Sequence, residues 1–132
     1  MSRPLPRPTA ETQPFWDGCS AGVVRYQCCA ACGAVQLVPR AMCATCQSDA
    51  LAWRDASGFG HVLSHTTVHR APTPAFRDEA PYVIALIDMD EGFRLMTNVA
   101  GGAIAPIAIG SRVRIGFRVI EGVALPQAEV CA

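Results

Sequence analysis

The stretch CCAACGAVQLVPRAMCATC, residues 28–46, decides the fold of this part of the chain. It contains two C-x2-C pairs, Cys29–Cys32 and Cys43–Cys46, separated by ten residues. Each pair can place two thiolates on one side of a tight turn, and two facing turns complete a tetrahedral site of four sulfurs. Buried cysteines without a metal are the competing interpretation, which the paired spacing disfavours.

Four sulfurs predict a structural metal rather than a catalytic one. Four thiolates suit Zn²⁺ or a single iron ion. Because four protein ligands leave no open position for water or substrate, catalysis at this metal is not expected. Cys28 leaves the register open, since Cys28-x3-Cys32 is a second pairing. We prefer Cys29 because its spacing to Cys32 matches that of the second pair.

Composition limits the class of protein. The chain has 132 residues, zero formal net charge and 51% apolar residues, which suit one domain or two small ones sharing an interface. Seven cysteines without an export signal argue against a disulfide framework. No apolar run approaches the roughly 20 residues of a transmembrane helix. We therefore expect a cytoplasmic protein that engages no membrane and, lacking a basic excess, no nucleic acid.

The sequence divides into three segments. Residues 1–12 contain three prolines and predict a flexible tail. Residues 13–52 hold a short helix over residues 13–21 and the zinc ribbon, with strands expected at 23–28 and 34–38. Residues 53–132 form the second domain, and residues 50–55 are expected to link it to the ribbon.

The strand pattern of the second domain favours an OB-fold. Strands are expected at 58–70, 82–89, 93–99, 112–120 and 122–125. A meander followed by a connection and two further strands suits a small five-stranded barrel. Within residues 112–120, alternation predicts that Val113, Ile115, Phe117 and Val119 face inward. The expected fold class is therefore mainly β.

The sequence shows no nucleophile and base set for catalysis. It has no G-x-S-x-G, H-E-x-x-H or P-loop motif. His61, His65 and His69 are spaced by four residues, which predicts one face of a strand with neighbours about 13 Å apart. At that separation they cannot share a metal, so we interpret them as ordinary strand residues.

Two groups of residues are candidates for contact with a ligand or partner. Phe15 and Trp16 lie on a helix too short to be stable alone, so they must dock on the ribbon or on a partner. The loop after the first barrel strand carries Arg70, Phe76 and Arg77. Two guanidiniums and an aromatic ring suit the phosphates and base of a nucleotide-like ligand. A proline-stiffened surface loop is the competing interpretation.

Several motifs occur together in one order, and they define a resemblance. They are Phe15-Trp16-Asp17-Gly18, Cys29-x2-Cys32-Gly33, Cys43-x2-Cys46, Trp53, Ser57-Gly58-x-Gly60, Val68-His69-Arg70, Pro74-Ala75-Phe76, Pro81-Tyr82-Val83, Leu95-Met96-Thr97-Asn98 and Ala124-Leu125-Pro126. On these motifs the chain resembles, from about residue 14 to 126, the bacterial and archaeal family named domain of unknown function thirty-five. Two features depart from the family pattern: Cys28 replaces a usually polar residue, and no aromatic residue follows Leu125-Pro126.

The resemblance implies an N-terminal helix, a rubredoxin-like zinc ribbon and a C-terminal five-stranded OB-fold barrel. It implies a non-catalytic accessory subunit in a hetero-oligomer with a thiolase-like enzyme, which acts on acyl-CoA by thiolysis, retro-aldol or acyl transfer. Structural Zn²⁺ would be held by Cys29, Cys32, Cys43 and Cys46. The residues toward coenzyme A or the partner would be Phe15, Trp16, His69, Arg70, Phe76 and Arg77.

Two other functions stay open from the sequence. Zinc ribbons and OB-folds also serve as nucleic-acid-binding modules, but 7% aromatic residues and zero net charge offer little for a basic groove with stacking rings. A four-sulfur iron centre would make the chain an electron carrier, although such a carrier does not need a barrel.

Overall fold

The computed structural model describes residues 5–70, 74, 80–101 and 107–131. Over these residues the chain forms one helix and eight strands. They are α1 (Gln13–Ser20), β1 (Arg25–Cys29), β2 (Val35–Gln36), β3 (Leu51–Asp55), β4 (Phe59–Val68), β5 (Tyr82–Met89), β6 (Arg94–Asn98), β7 (Arg112–Ile120) and β8 (Val123–Val130). The predicted mainly β fold with a short N-terminal helix is confirmed.

Helix α1 is held in place by packing rather than by its own length. Pro14 lies in the first turn, where its missing N–H breaks no helical hydrogen bond. Phe15 packs against the hydrophobic core. After the helix, the Val23 N–H donates to the Gly18 carbonyl at 2.8 Å. Gly22, with a φ of 80°, turns the chain into β1.

The ribbon is a three-stranded antiparallel sheet in the order β2-β1-β3. Gln27 at the centre of β1 lies opposite Gln36 of β2 on one side and Trp53 of β3 on the other. Residues 50–55, expected to link the two parts, thus contain a strand of the ribbon, and that prediction was wrong. The connection to the barrel is shorter, because β3 ends at Asp55 and β4 begins at Phe59.

The five remaining strands form an OB-fold barrel, as predicted. Their order is β6-β5-β4-β7-β8. The barrel closes where Val99, just after β6, forms a parallel bridge with Ala128 of β8. The Ala100 N–H donates to the Ala128 carbonyl at 2.8 Å, and the Thr97 hydroxyl donates to the Pro126 carbonyl at 2.7 Å.

The β7–β8 hairpin differs from the prediction in two ways. The last strand does not end at Leu125 but continues to Val130. Val113 and Ile115 are buried as predicted and Phe117 packs against the core, but Val119 is 67% exposed and its predicted inward position was wrong. The reason is that β4 pairs only with Arg112–Arg114 of β7, so the far end of the hairpin extends beyond the barrel wall.

Ribbon and barrel share one hydrophobic core. Val24, which precedes β1, and Tyr26 and Cys28 of β1 belong to one buried cluster. The same cluster contains Ile87 of β5 and Phe93, which precedes β6. The Tyr26 and Phe93 rings stack with centroids 4.7 Å apart at an interplanar angle of 22°. In the part of the chain that the structure describes, no helix has the length and apolar character to cross a bilayer.

Candidate metal centre and contact surfaces

The structure brings the two cysteine pairs together. All four Sγ atoms, of Cys29, Cys32, Cys43 and Cys46, lie within 4.8 Å of one another. Cys29 and Cys46 are 3.6 Å apart, and Cys32 and Cys43 are 3.7 Å apart. A tetrahedron with Zn–S bonds of about 2.3 Å has S–S edges of about 3.8 Å. The donor set and its spacing therefore fit a tetrahedral zinc ion.

The two turns that present the sulfurs have the same backbone design. In the first, the Gly33 N–H donates to the Cys29 carbonyl at 2.8 Å; in the second, the Gln47 N–H donates to the Cys43 carbonyl at 2.9 Å. Gly33 has a φ of 78° and Gln47 a φ of 65°. In the second turn it is therefore Gln47, not a glycine, that has the left-handed backbone conformation. Residues with a side chain rarely adopt this conformation. Metal binding would offset that strain.

Backbone N–H groups favour thiolates at two of the four positions. The N–H of Cys32 is the main cause that lowers the pKa of Cys29. The N–H groups of Cys46 and Thr45 lower the pKa of Cys43 to about 6. For Cys32 the N–H of Ala34 lowers the pKa, but hydrogen bonds to the other thiols, together with burial, outweigh it and raise the pKa to about 12. The backbone thus favours the thiolate, the form that binds zinc, at Cys29 and Cys43.

Alternation along β1 decides between Cys28 and Cys29. Tyr26 and Cys28 belong to the core shared with the barrel, whereas Gln27 and Cys29 lie on the opposite face, toward the metal centre. The register that we preferred from spacing is therefore the one in the structure. Cys19 also lies apart from the four sulfurs, and burial raises the pKa of its thiol to about 11.

Phe15 and Trp16 form one wall of an apolar groove. Their rings meet edge to face with centroids 4.9 Å apart. Together with Thr12, just before α1, and the segment 37–39 after β2, they line a groove of about 200 Å³. Val38 in the facing wall is 62% exposed. The groove lies between the helix and the ribbon, and none of the described residues that line it is charged.

The candidate loop residues are only partly described. His69 and Arg70 are exposed just beyond the end of β4, whereas Phe76 and Arg77 lie outside the described residues. His61 and His65 do not share a face as predicted, because β4 has a bulge between Val62 and Ser64. His61 is paired with Asp88 and lies 3.7 Å from its carboxylate.

Several arginines on the barrel and ribbon are already paired with carboxylates. Arg112 donates two hydrogen bonds of 2.7 Å to Asp90, and this contact is the main cause that lowers the pKa of the Asp90 carboxyl. Arg114 pairs with Glu129 and Arg25 with Asp55, each at 3.1 Å. Each of these three guanidiniums therefore has a carboxylate partner on the surface.

The fold and the four-sulfur centre define a class of protein in which a zinc ribbon is joined to an OB-fold. Two family models match the chain accordingly: the rubredoxin-like zinc ribbon domain of ChsH2 over residues 16–52 and its C-terminal OB-fold domain over residues 53–118. The chain belongs to the DUF35 family, and the solved structure of the Ltp2-ChsH2(DUF35) aldolase assigns ChsH2 to the same family. The predicted family is therefore confirmed.

Three relatives are informative. A chain of the solved structure of the Ltp2-ChsH2(DUF35) aldolase superposes with a TM-score of 0.84 and 31% identity, covering 97% of this chain and 100% of that one. A DUF35 domain-containing scaffold protein of Methanothermobacter thermautotrophicus is 32% identical over 70% of each chain. A probable enoyl-CoA hydratase alpha subunit of Thermomonospora curvata is 36% identical over 84% of this chain. This chain spans about a third of that subunit, 34% of its length.

Proposed function

We propose that this chain is a non-catalytic accessory or scaffold subunit of a thiolase-like enzyme complex that acts on acyl-CoA. The observation that carries the proposal is the similarity over the full length of a chain in the Ltp2-ChsH2(DUF35) aldolase. The names of the other relatives, a scaffold protein and a hydratase alpha subunit, support a role within a larger assembly. The reaction of the complex would be thiolysis, retro-aldol cleavage or acyl transfer.

In this proposal the metal has a structural role. Zinc would be held by Cys29, Cys32, Cys43 and Cys46, and it would supply folding free energy to a ribbon too small to form its own core. A closed set of four thiolates offers no site for substrate. The chemistry of the complex is therefore assigned to the partner, and this chain contributes surface.

The apolar groove of α1 and the ribbon is our candidate for the partner contact. Phe15 and Trp16 form one wall and are half-buried, and Val38 in the other wall is exposed. Aromatic side chains in a desolvated pocket are the usual anchors of protein interfaces. A partner side chain in the groove would complete the burial of both rings.

Affinity purification of the tagged chain from its own host tests the proposal. We expect a thiolase-like protein in near-stoichiometric amount by mass spectrometry. Val38→Asp should lower its recovery about tenfold, because a carboxylate in the groove must be desolvated on binding. Met96→Asp on β6 is the matched control, since Met96 is 70% exposed and is not among the residues that line the groove. Recovery of no thiolase-like protein by the unaltered chain would contradict the proposed function.

We also propose that the end of β4 and the following loop contact coenzyme A within the complex. His69 and Arg70 are exposed at the start of that loop, and Phe76 and Arg77 follow in the sequence. Guanidiniums bind phosphate oxygens through charge-assisted hydrogen bonds, and an aromatic ring can stack on the adenine.

Calorimetric titration of coenzyme A into the purified complex measures this contact. We expect Arg70→Ala to weaken binding about tenfold, which is the usual contribution of one charged hydrogen bond. Arg54→Ala on β3 is the matched control, because Arg54 is an exposed arginine in the ribbon. Equal affinity of the unaltered complex and the Arg70→Ala complex would remove Arg70 from the site.

A further inference from the structure

The second pair of zinc ligands is reached by an unusually short connection. Ten residues separate Cys32 from Cys43, and β2 occupies two of them, Val35 and Gln36. From residue 37 to 42 the backbone has no strand partner. Something other than a sheet ladder must therefore fix the turn that carries Cys43 and Cys46. Two glutamine side chains contribute to that fixation, beside the Cys43 N–H, which donates to the Ser48 carbonyl at 2.7 Å.

Gln27 holds the middle of the connection. Its side chain is buried, at 5% exposure, on the face of β1 that also carries Cys29. Its Nε2 donates to the Arg40 carbonyl at 3.1 Å, and its Oε1 accepts from the Arg40 N–H at 3.0 Å. The amide thus satisfies both backbone groups of Arg40, as a neighbouring strand would.

Gln36 extends the contact to the metal-binding turn. Gln27 and Gln36 are opposite each other in the ribbon sheet, and Gln36 Nε2 donates to Gln27 Oε1 at 2.7 Å. Gln36 Oε1 accepts from the N–H of Ala44 at 3.0 Å. Ala44 directly follows Cys43, so one chain of hydrogen bonds runs from β1 to the second pair of ligands.

We propose that Gln27 and Gln36, here called the glutamine clamp, are positioning residues of the zinc site. The clamp fixes the second turn against β1 so that Cys43 and Cys46 face Cys29 and Cys32 before the metal binds. The ordering entropy of the short connection is then already offset in part by these amide hydrogen bonds, three of which are part-buried. Groups that orient metal ligands from outside the coordination shell commonly change metal affinity by about 10- to 100-fold.

Gln27→Met tests the clamp because methionine keeps the length and volume of the side chain but makes no comparable hydrogen bonds. We expect zinc to dissociate at least about tenfold faster into a chromogenic chelator. We also expect the visible bands of the Co²⁺-substituted protein to weaken, since their intensity reports tetrahedral thiolate geometry. Gln36→Met, which acts at a half-buried position, should show the same change to a smaller degree.

Thr97→Val is the matched control. Thr97 is buried at 8% exposure in the barrel, and its hydroxyl donates one hydrogen bond to the Pro126 carbonyl. We expect this variant to lose thermal stability but to keep the zinc dissociation rate and the Co²⁺ spectrum unchanged. If Gln27→Met fails to fold, Gln36→Met decides the question. Zinc dissociation within about twofold of the Thr97→Val rate in the folded clamp variants would overturn the proposal.

Discussion

Replacing Cys29 with alanine is expected to abolish stoichiometric zinc binding and to unfold the ribbon, whereas the same change at its neighbour Cys28 should leave one zinc ion per chain. Cys29 belongs to the four-sulfur cluster. Cys28 points into the core shared with the barrel. Zinc in isolated zinc fingers supplies about 10 kcal/mol of apparent binding free energy, which is also folding free energy. Loss of one ligand therefore removes the main stabilising element of the ribbon.

The pair of variants is a stringent comparison because the two residues are adjacent and chemically identical. Cys28→Ala removes one buried sulfur from an apolar cluster, which is expected to destabilise by about 1 kcal/mol. Metal analysis of the purified proteins, with denaturant unfolding followed by circular dichroism, measures both effects. It also separates zinc from iron. Full zinc content in Cys29→Ala together with loss of zinc in Cys28→Ala would reverse the assigned register.

The ribbon could be predicted from the sequence because its chemistry is local. Two C-x2-C pairs specify two turns and one metal, and the structure places those four sulfurs together. The barrel could also be predicted from the sequence, because β5 alternates regularly from Tyr82 to Met89 between half-buried and buried positions. The third ribbon strand, β3, could not be predicted from the sequence. No residue of Leu51–Asp55 is fully buried, so the hydrophobic alternation of this strand is weak. The strand is held in place by its pairing with β1 instead.

Other features depend on contacts between distant segments, which spacing alone does not encode. The spacing of four residues predicts that His61 and His65 share one face of β4, but the bulge between Val62 and Ser64 places them on different faces. Val119 follows the alternation of β7 but lies beyond the part of β7 that pairs with β4, and it is 67% exposed. The sequence contains one indication of the role that we propose for Gln27. It is a polar residue two positions before Cys29, and therefore on the same face of the strand. The indication can be interpreted only from the structure, which shows that the Gln27 side chain forms hydrogen bonds with the backbone of Arg40.

Phe93→Ala is expected to uncouple the ribbon from the barrel as well as to destabilise the chain. Phe93 is 3% exposed, and its ring stacks on Tyr26 of the ribbon. Removing a buried phenyl ring typically costs about 3–5 kcal/mol. Among the described residues, the Tyr26–Phe93 pair is the only aromatic stack between ribbon and barrel. Loss of the Phe93 ring should therefore split one cooperative unfolding transition into two.

Chelator titration followed by two probes measures this uncoupling. In the unaltered chain, zinc removal should weaken the barrel too, since Val24, Tyr26 and Cys28 contribute to its core. In Phe93→Ala, zinc removal should change the ribbon signal while the barrel transition stays at the same temperature. Phe59→Ala is the matched control, because that ring is 37% exposed and lies under the Arg112 guanidinium at 5.4 Å. Since its loss leaves the Tyr26–Phe93 stack intact, Phe59→Ala should keep the single transition; two transitions there would show that cooperativity does not depend on the stack.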